Sequence, residues 1–222
     1  MTETKRQFLQ GAAVMGLATT FALPRANAAE RLEDSPSMDL GPFYPVEKPV
    51  EEDVDLTRLA GHSSRAKGQV LELTGRVLSR DGRPVTNAKV EIWQANAMGR
   101  YSHAGDHHDI PLDSDFQGYG VQRTDGAGCF RFLTIKPGAY PASDSMRSPH
   151  IHFDVSGRHD RLITQMYFPG EPLLKQDLVL RHDMEEYGSD YPPFIFGKLA
   201  AGASTLEPGA TLCSFDIVLR NG

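Results

Sequence analysis

The feature of this sequence that most limits its fold is a series of short segments in which apolar and polar residues alternate. The segments begin at residue 69, are five to eight residues long, and include LELTGRVL from Leu71, AKVEIW from Ala88 and CFRFLTI from Cys129. Asp-Gly at 81–82 and the stretch 125–128 separate them, and both are typical turn sequences. This pattern predicts an all-β protein, an antiparallel β-sandwich with long loops.

Three further strands are expected at 149–155, 162–168 and 212–220, and residues 180–193 are expected to form a long loop before the last of them. The 21 glycines and 15 prolines make up about one residue in six, above the usual share of about 12%, as a fold with many turns requires. No segment has a sustained 3.6-residue period, which argues against a helical bundle or a coiled coil.

The N-terminus carries the three parts of a secretory signal peptide. Lys5 and Arg6 precede an apolar stretch at 8–23, which ends at the small residues Ala26-Asn27-Ala28. We predict that residues 1–28 are removed and that the mature protein is exported, to the periplasm or to the outside of a bacterium. Residues 4–9 resemble a twin-arginine motif with Lys5 in place of the first arginine, so the Sec and twin-arginine routes both stay open.

The remaining chain divides at about residue 66. Residues 29–66 have few periodic apolar positions and are predicted to form an extended N-terminal arm, whereas 67–222 form the β-sandwich domain. Removal of three basic residues and one acidic residue with the signal changes the net charge from −6 to −8. Such an acidic chain has no electrostatic footprint for nucleic acid, and no other apolar run approaches the ~18 residues of a membrane span.

Cys129 and Cys213 are the only cysteines. An exported protein could join them in one disulfide, but strand alternation places Cys129 on the face of Arg131 and Cys213 on the face of Phe215. Because these are unlike faces, we predict two unpaired thiols.

The segment His150-Ile151-His152-Phe153-Asp154 carries the strongest chemical signal. In a strand, His150 and His152 point to one face while Ile151 and Phe153 point to the other. Two imidazoles side by side could bind a metal ion. They could equally be solvent-facing polar positions of a half-buried strand, and the spacing does not decide between the two.

Two tyrosines beside turn glycines strengthen the metal interpretation. Tyr101 follows Gly99 and Tyr140 follows Gly138, both at the ends of predicted strands, where functional residues concentrate on a rigid scaffold. A bound cation can remove the proton of a phenol as it does that of a thiol or water. Two phenolates and two imidazoles offer hard oxygen and borderline nitrogen ligands, a set suited to ferric iron and different from the triad of two histidines and one carboxylate.

Together with the motifs around them, these residues resemble those of a known family, the intradiol ring-cleavage dioxygenases, and in particular the protocatechuate-cleaving type. The resemblance is carried by GPFYP from 41, GRYSH from 99, RTDGAGCFRFLTIKPGAYP from 123, RSPHIHF from 147 and LITQMYFPGEP from 162. It covers most of the chain from residue 41 to the end and is weakest between about 172 and 210.

The resemblance implies a non-haem Fe(III) cofactor and assigns roles to residues by position. The four iron ligands would be Tyr101, Tyr140, His150 and His152. Tyr140 would also be catalytic, as the ligand that leaves when the substrate chelates. Arg147 would stabilise negative charge on the substrate ring, and Gln165 would line the same pocket. Separately, Tyr44 in GPFYP is a candidate for substrate contact at the pocket mouth.

The resemblance also implies a reaction. A catechol-type ring, that of protocatechuate or a related 1,2-dihydroxyaromatic, would be cleaved by O2 between its two hydroxylated carbons to give a cis,cis-muconate-type dicarboxylate. No reductant or organic cofactor would be needed. A homo-oligomer and a paralogous partner chain are both compatible with it, and the ring substituents stay open.

Two alternatives compete with the enzyme. Residues 69–140 alone also resemble prealbumin-like sandwich modules, which would make the chain an exported, non-catalytic binding or structural protein. The stretch 147–168 favours the enzyme, because a structural module has no reason to place Arg147, the two histidines and Gln165 on adjoining strands. A chain that keeps the fold without iron is disfavoured because all four ligands are present.

Two further features are not assigned to the iron site. The tract containing His103, His107 and His108 with Asp106 and Asp109 could bind a divalent metal, but we predict a solvated loop. Trp93 is expected to serve packing and not substrate contact.

Overall fold

Two β-sheets and an extended N-terminal arm make up most of the protein. In the computed structural model, the described residues are 31–48, 54–142, 144–187, 191–200 and 204–222. The predicted signal peptide, 1–28, lies outside them. Within the described residues the strands are β1 (Val70–Ser79), β2 (Lys89–Trp93), β3 (Tyr119–Arg123), β4 (Cys129–Ile135), β5 (Tyr140–Pro141), β6 (Met146–Arg147), β7 (His150–Ser156), β8 (Arg161–Tyr167), β9 (Lys198–Ala200), β10 (Thr211–Ser214) and β11 (Ile217–Leu219).

The first sheet is built around β1. This strand pairs antiparallel with β4 and parallel with both β10 and β11, and β9 adds antiparallel to β10. The second sheet has the order β3-β2-β7-β8 and is antiparallel throughout. The predicted all-β sandwich is confirmed. The two parallel pairings were not expected, and they are possible because the long segment between β8 and β10 lets the chain return to β1 in the same direction.

The core lies between the inner faces of the two sheets. Ile92, Ile151 and Phe153 from the second sheet meet Leu73 and Phe132 from the first, and all are fully buried. This is the predicted apolar face of β7, with the histidines on its other face. The other face of β7 is also covered, because every residue from 150 to 155 is buried.

The N-terminal arm covers part of this outer face. Between residues 38 and 48 it crosses the second sheet, where the amide of Met38 donates to the carbonyl of Ile163 at 2.9 Å and the side chain of Gln165 donates to the carbonyl of Asp39 at 2.8 Å. The described parts of 29–66 contain neither a helix nor a strand of more than one bridge.

The prediction of a loop at 180–193 is wrong. The segment contains most of a short α-helix, α1 (Leu178–Asp183), and a 3-10 turn at Glu185–Tyr187, and a second 3-10 turn, Pro193–Ile195, begins at its last residue. Asp177 caps α1 by accepting from the amide of Leu180 at 3.0 Å. Leu180 and Met184 are buried against Tyr167 and Ile195, and this cluster covers the rest of the outer face. Six helical residues are too few for a helical period to be recognised.

The prediction of one strand at 212–220 is also wrong, because the segment is divided into β10 and β11. Asp216 lies at the break, where its carboxylate accepts from the backbone amide of Arg76 at 2.9 Å in place of a strand carbonyl. Strands β3, β5, β6 and β9 were not predicted.

The two cysteines are free thiols, Cys213 buried and Cys129 partly exposed. No helix among the described residues is long and apolar enough to cross a membrane.

Candidate metal centre

One row of side chains crosses the outer face of the second sheet. Trp93 of β2 lies opposite Tyr119 of β3 and opposite His152 of β7, and His152 lies opposite Gln165 of β8. Directly opposed residues of antiparallel strands point to the same face, so the four side chains form a continuous line. The indole of Trp93 stacks on the imidazole of His152, with ring centroids 4.7 Å apart and planes inclined by 10°. Trp93 is therefore a packing residue, as predicted, and what it packs against is a candidate ligand.

Two glycines allow the loops that carry the tyrosines to meet. A β-carbon at Gly99 would lie 2.1 Å from the carbonyl oxygen of Ala139, and one at Gly138 would lie 2.6 Å from that of Ala97. Neither backbone approach is open to a larger residue. The contact brings the rings of Tyr101 and Tyr140 to a centroid distance of 5.3 Å, perpendicular to each other.

The four predicted ligands converge on one buried point. The Nε2 atoms of His150 and His152 are 3.1 Å apart, and the hydroxyl of Tyr140 is 3.5 Å from Nε2 of His150. Tyr101 and the two histidines are each no more than 3% exposed, and Tyr140 is 4% exposed. The solvent-facing interpretation of His150 and His152 is therefore excluded.

Burial fixes the charge state of these groups in the absence of a cation. It raises the pKa of Tyr101 and of Tyr140 above the usual value for a phenol. Burial, and after it the charge of Arg147, holds the pKa of both imidazoles well below their usual value. His150 bonds through Nδ1 to the carbonyl of Ser148 at 2.6 Å, and because a carbonyl only accepts, the lone pair of His150 lies on Nε2.

The donor set fits a hard, highly charged cation. The hydroxyl of Tyr101 is buried and has no hydrogen-bond partner among the described residues, an expensive state unless something binds there. Two nitrogens about 2.1 Å from one ion and at a right angle lie roughly 3 Å apart, close to the separation of the two Nε2 atoms. Neutral imidazoles have free lone pairs, and two phenols can become anions beside a trivalent ion.

No cluster of three or more His, Cys, Asp or Glu residues that could hold a metal occurs in the described parts of the chain. The side chains of the tract at 103–109 do not form such a cluster. The tract is not wholly solvated either, because Asp106 is buried and accepts from the backbone amide of Tyr101 at 2.8 Å. The side chain of His108 lies 2.8 Å from the same carboxylate.

Arg147 adjoins the candidate ligands. It lies opposite Tyr140 in the two-stranded ribbon of β5 and β6, and its side chain is buried. The guanidinium donates through Nε to Asp177 and through Nη2 to Gln165 at 2.8 Å and to the hydroxyl of Tyr167 at 2.7 Å. Burial opposes the charge of Arg147, but its acidic surroundings raise its pKa overall, so it stays a cation.

The N-terminal arm supplies the aromatic wall that closes this region. The ring of Phe43 packs against those of Tyr101 and Tyr140, with centroid distances of 4.7 and 6.0 Å, whereas the ring of Tyr44 is nearly perpendicular to that of Trp93 at a centroid distance of 5.0 Å. Tyr44, predicted to contact substrate, thus contacts a residue that stacks on His152. Phe43, Tyr167 and Asp177 were not singled out from the sequence, although Phe43 lies inside the GPFYP motif that was.

Gly41 brings the arm against His152, a candidate ligand, and we expect Gly41→Ala to impair ferric iron binding. Gly41 has φ +73°, and a β-carbon there would lie 3.2 Å from Cε1 and 3.7 Å from Nε2 of His152. The alanine should therefore displace the imidazole. Iron bound per chain after loading with ferric salt is the measurement.

Gly82→Ala is the matched control for this variant. Gly82 has the same φ of +73°, but a β-carbon there would meet nothing within 4 Å. Both variants should lose about 1 kcal/mol of unfolding free energy through backbone strain, and only Gly41→Ala should lose iron. Equal iron content in the two variants would contradict the proposed position of the metal.

Comparison with known proteins identifies the family. A family model described as "Dioxygenase" matches residues 40–220. This match includes the stretch 147–168, which distinguishes the enzyme from a prealbumin-like binding module. The chain belongs to this family, the intradiol ring-cleavage dioxygenases, and is an oxidoreductase of that class.

The relatives give the family its range. The chain is 43% identical over 205 residues to the protocatechuate 3,4-dioxygenase beta chain of Burkholderia cepacia, covering 89% of this chain and 82% of that one. It is 34% identical over 155 residues to the catechol 1,2-dioxygenase of Acinetobacter baylyi, with 62% of this chain and 47% of that enzyme covered, so it spans about half the length of that relative. Among solved structures, the dioxygenase domain of a dioxygenase carbohydrate-binding protein fusion from Streptomyces sp. SirexAA-E is similar at a TM-score of 0.64 and 27% identity, covering 86% of this chain and 100% of that one.

Proposed function

We propose that this chain is a non-haem Fe(III) enzyme that cleaves a catechol-type ring with O2 between the two hydroxylated carbons, giving a cis,cis-muconate-type dicarboxylate. The observation that carries the proposal is the buried convergence of Tyr101, Tyr140, His150 and His152, in which the Tyr101 hydroxyl has no hydrogen-bond partner among the residues that the structure describes. These four side chains would hold the iron. Family membership supports the reaction class.

Bound ferric iron would draw electron density from a chelated catecholate and so make its ring reactive towards O2. Tyr140 would accept a proton from the substrate. A catechol must lose both hydroxyl protons to chelate a metal ion, and the Tyr140 phenolate oxygen would act as a base for one of them while the other would pass to solvent. Tyr140 belongs to the two-residue strand β5, which pairs with β6 and lies outside the second sheet that carries the two histidines.

Arg147 would act on the substrate ring, and Gln165 would line the same pocket. A permanently charged guanidinium in a water-poor site stabilises negative charge that develops on the ring as it meets O2. Gln165 accepts from Arg147 through its oxygen and donates to the Asp39 carbonyl through its nitrogen, so it joins the cation to the arm. Tyr44 would contact the substrate from the arm.

The substrate we propose is protocatechuate or a related 1,2-dihydroxyaromatic. The support is the 43% identity to a protocatechuate 3,4-dioxygenase beta chain, which extends over most of both chains. Oxygen uptake by the iron-loaded protein with a panel of catechols that differ at one ring position tests it. The expected preference is for a ring carboxylate, and equal rates with catechol, hydroxyquinol and protocatechuate would reject that preference while leaving the ring cleavage intact.

The purified, iron-loaded protein is expected to be wine-red, because phenolate bound to Fe(III) absorbs visible light by charge transfer. Tyr140→Phe should shift this band and slow substrate binding, since one phenolate and one base are lost together. Tyr191→Phe is a suitable control, as Tyr191 lies in the cluster around α1 and bonds to the carbonyl of Leu174. A protein that remains colourless and inert after loading with ferric or ferrous iron would overturn the proposed function.

We also propose that residues 1–28 direct export to the periplasm or beyond, and that the mature enzyme works as a homo-oligomer or with a paralogous chain. The export proposal rests on the order of charged, apolar and small residues at the N-terminus. Fractionation of cells that express the full chain tests it, with retention of uncleaved protein in the cytoplasm as the contrary result. Light scattering of the purified mature chain, alone, tests the oligomer, and a monomer with full activity would reject both forms.

A further inference from the structure

The carboxylate of Asp177 lies at the centre of a buried hydrogen-bond network beside the candidate metal centre. Both of its oxygens accept from Nε of Arg147, at 3.0 and 3.1 Å. Oδ1 also accepts from the amide of Leu180 and Oδ2 from the amide of Ser148, at 3.0 and 2.8 Å. Asp177 is 0% exposed and Arg147 3% exposed, so each is the other's nearest compensation for a buried charge.

The remaining contacts fix the rotation of the guanidinium. Its Nη2 donates to Gln165 and Tyr167, and the Tyr167 hydroxyl in turn donates to the Gln165 oxygen at 2.7 Å. With Nε held by Asp177 and Nη2 held by these two residues, Nη1 is the guanidinium nitrogen for which no hydrogen bond is found among the described residues. The network thus leaves one corner of a rigid, planar cation for a bound molecule.

We propose that Asp177 is a positioning residue, which orients the Arg147 guanidinium so that Nη1 faces the substrate ring. The inference rests on the proposed function, in which Arg147 stabilises charge on that ring. A cation is useful in catalysis only when it is held where charge develops, and outer residues that orient such groups typically contribute about 10- to 100-fold to activity.

The position of Asp177 at the N-cap of α1 gives the residue a structural role as well, which the experiment must separate. Asparagine and serine are both good N-caps, so Asp177→Asn and Asp177→Ser preserve the start of the helix while they remove the carboxylate. Asp177 also bonds to Ser148, whose carbonyl accepts from His150, so these variants can change iron binding indirectly. Turnover is therefore expressed per bound iron.

The test is a double-mutant cycle between Asp177 and Arg147. Asp177→Asn should lower kcat per bound iron by about 10- to 100-fold and leave KM within about threefold. In an Arg147→Gln background the same change should alter kcat by less than about twofold, because no guanidinium is left to orient. A second readout needs no iron: the loss in Tm caused by Asp177→Asn in the metal-free chain should be smaller in the Arg147→Gln background.

Asp113→Asn is the matched control, because Asp113 is also a buried aspartate that accepts from backbone amides, those of Lys67 and Asp115, and it has no contact with Arg147. It should leave kcat unchanged. An equal loss of kcat from Asp177→Asn in both backgrounds would overturn the inference, and Asp177→Ser replaces Asp177→Asn if the latter does not fold. A wild-type chain that holds iron but cleaves no catechol rejects the proposed function instead.

Discussion

A His152→Leu enzyme is expected to lose its ferric iron and about 1000-fold or more of its turnover. Leucine fills much of the volume of the imidazole against Trp93, so packing is largely kept while the donor nitrogen is removed. A metal that supplies several kcal/mol of charge stabilisation contributes at least this factor to a rate. Iron stoichiometry, the visible band and oxygen uptake are measured on the same preparation.

His159→Leu is the control for a lost imidazole. His159 lies in the exposed turn between β7 and β8, on the same hairpin as His152. It should bind iron and turn over as the wild type does. If His152→Leu retained full iron and colour, the role of His152 as a ligand would be disproved, and the 3.1 Å approach of the two Nε2 atoms would need another explanation.

The parts of the site that are local in the chain could be predicted from the sequence. Alternation in β7 correctly placed Ile151 and Phe153 in the core with His150 and His152 on the opposite face. What the pattern could not show is that this opposite face is also buried. Its cover comes from the arm, including Gly41, more than 100 residues earlier, and from α1, so the information is in long-range contacts and not in a local period.

The residues that the sequence did not reveal are partners of predicted residues. Arg147 is recognisable by its motif, but its counter-ion, Asp177, lies 30 residues later in the region where the family resemblance is weakest. Nothing local distinguishes this aspartate from any other helix cap. Tyr167 is similar. Nothing in the sequence of β8 marks this tyrosine as part of the site, and only the strand register places it opposite His150. A local sequence motif can identify a catalytic side chain, whereas the residues that orient it are brought to it by tertiary contacts.

Acid is expected to destabilise the protein through Glu91, which joins the arm, at Lys48, to the second sheet. The side chain of Glu91 is 1% exposed. Its carboxylate forms ion pairs with Lys48 and, at 2.6 Å, with Lys89, and it accepts a hydrogen bond from the hydroxyl of Tyr119 at 2.5 Å. Burial alone would raise the pKa of Glu91, but these bonds hold it at about 2, against 4.5 for an ordinary glutamate. Because the folded pKa is the lower one, the stabilisation is complete above pH 4.5 and is lost as the pH falls towards 2.

The shift corresponds to about 3 kcal/mol of unfolding free energy at pH 7. Urea unfolding is measured at each pH. The unfolding free energy of the wild type is expected to exceed that of Glu91→Gln by about this amount at pH 7 and by less than about 1 kcal/mol at pH 2.5. Glu186→Gln, at an exposed position, is the control and should follow the wild type throughout. A constant gap between wild type and Glu91→Gln from pH 7 to 2.5 would show that Glu91 is not the group that titrates.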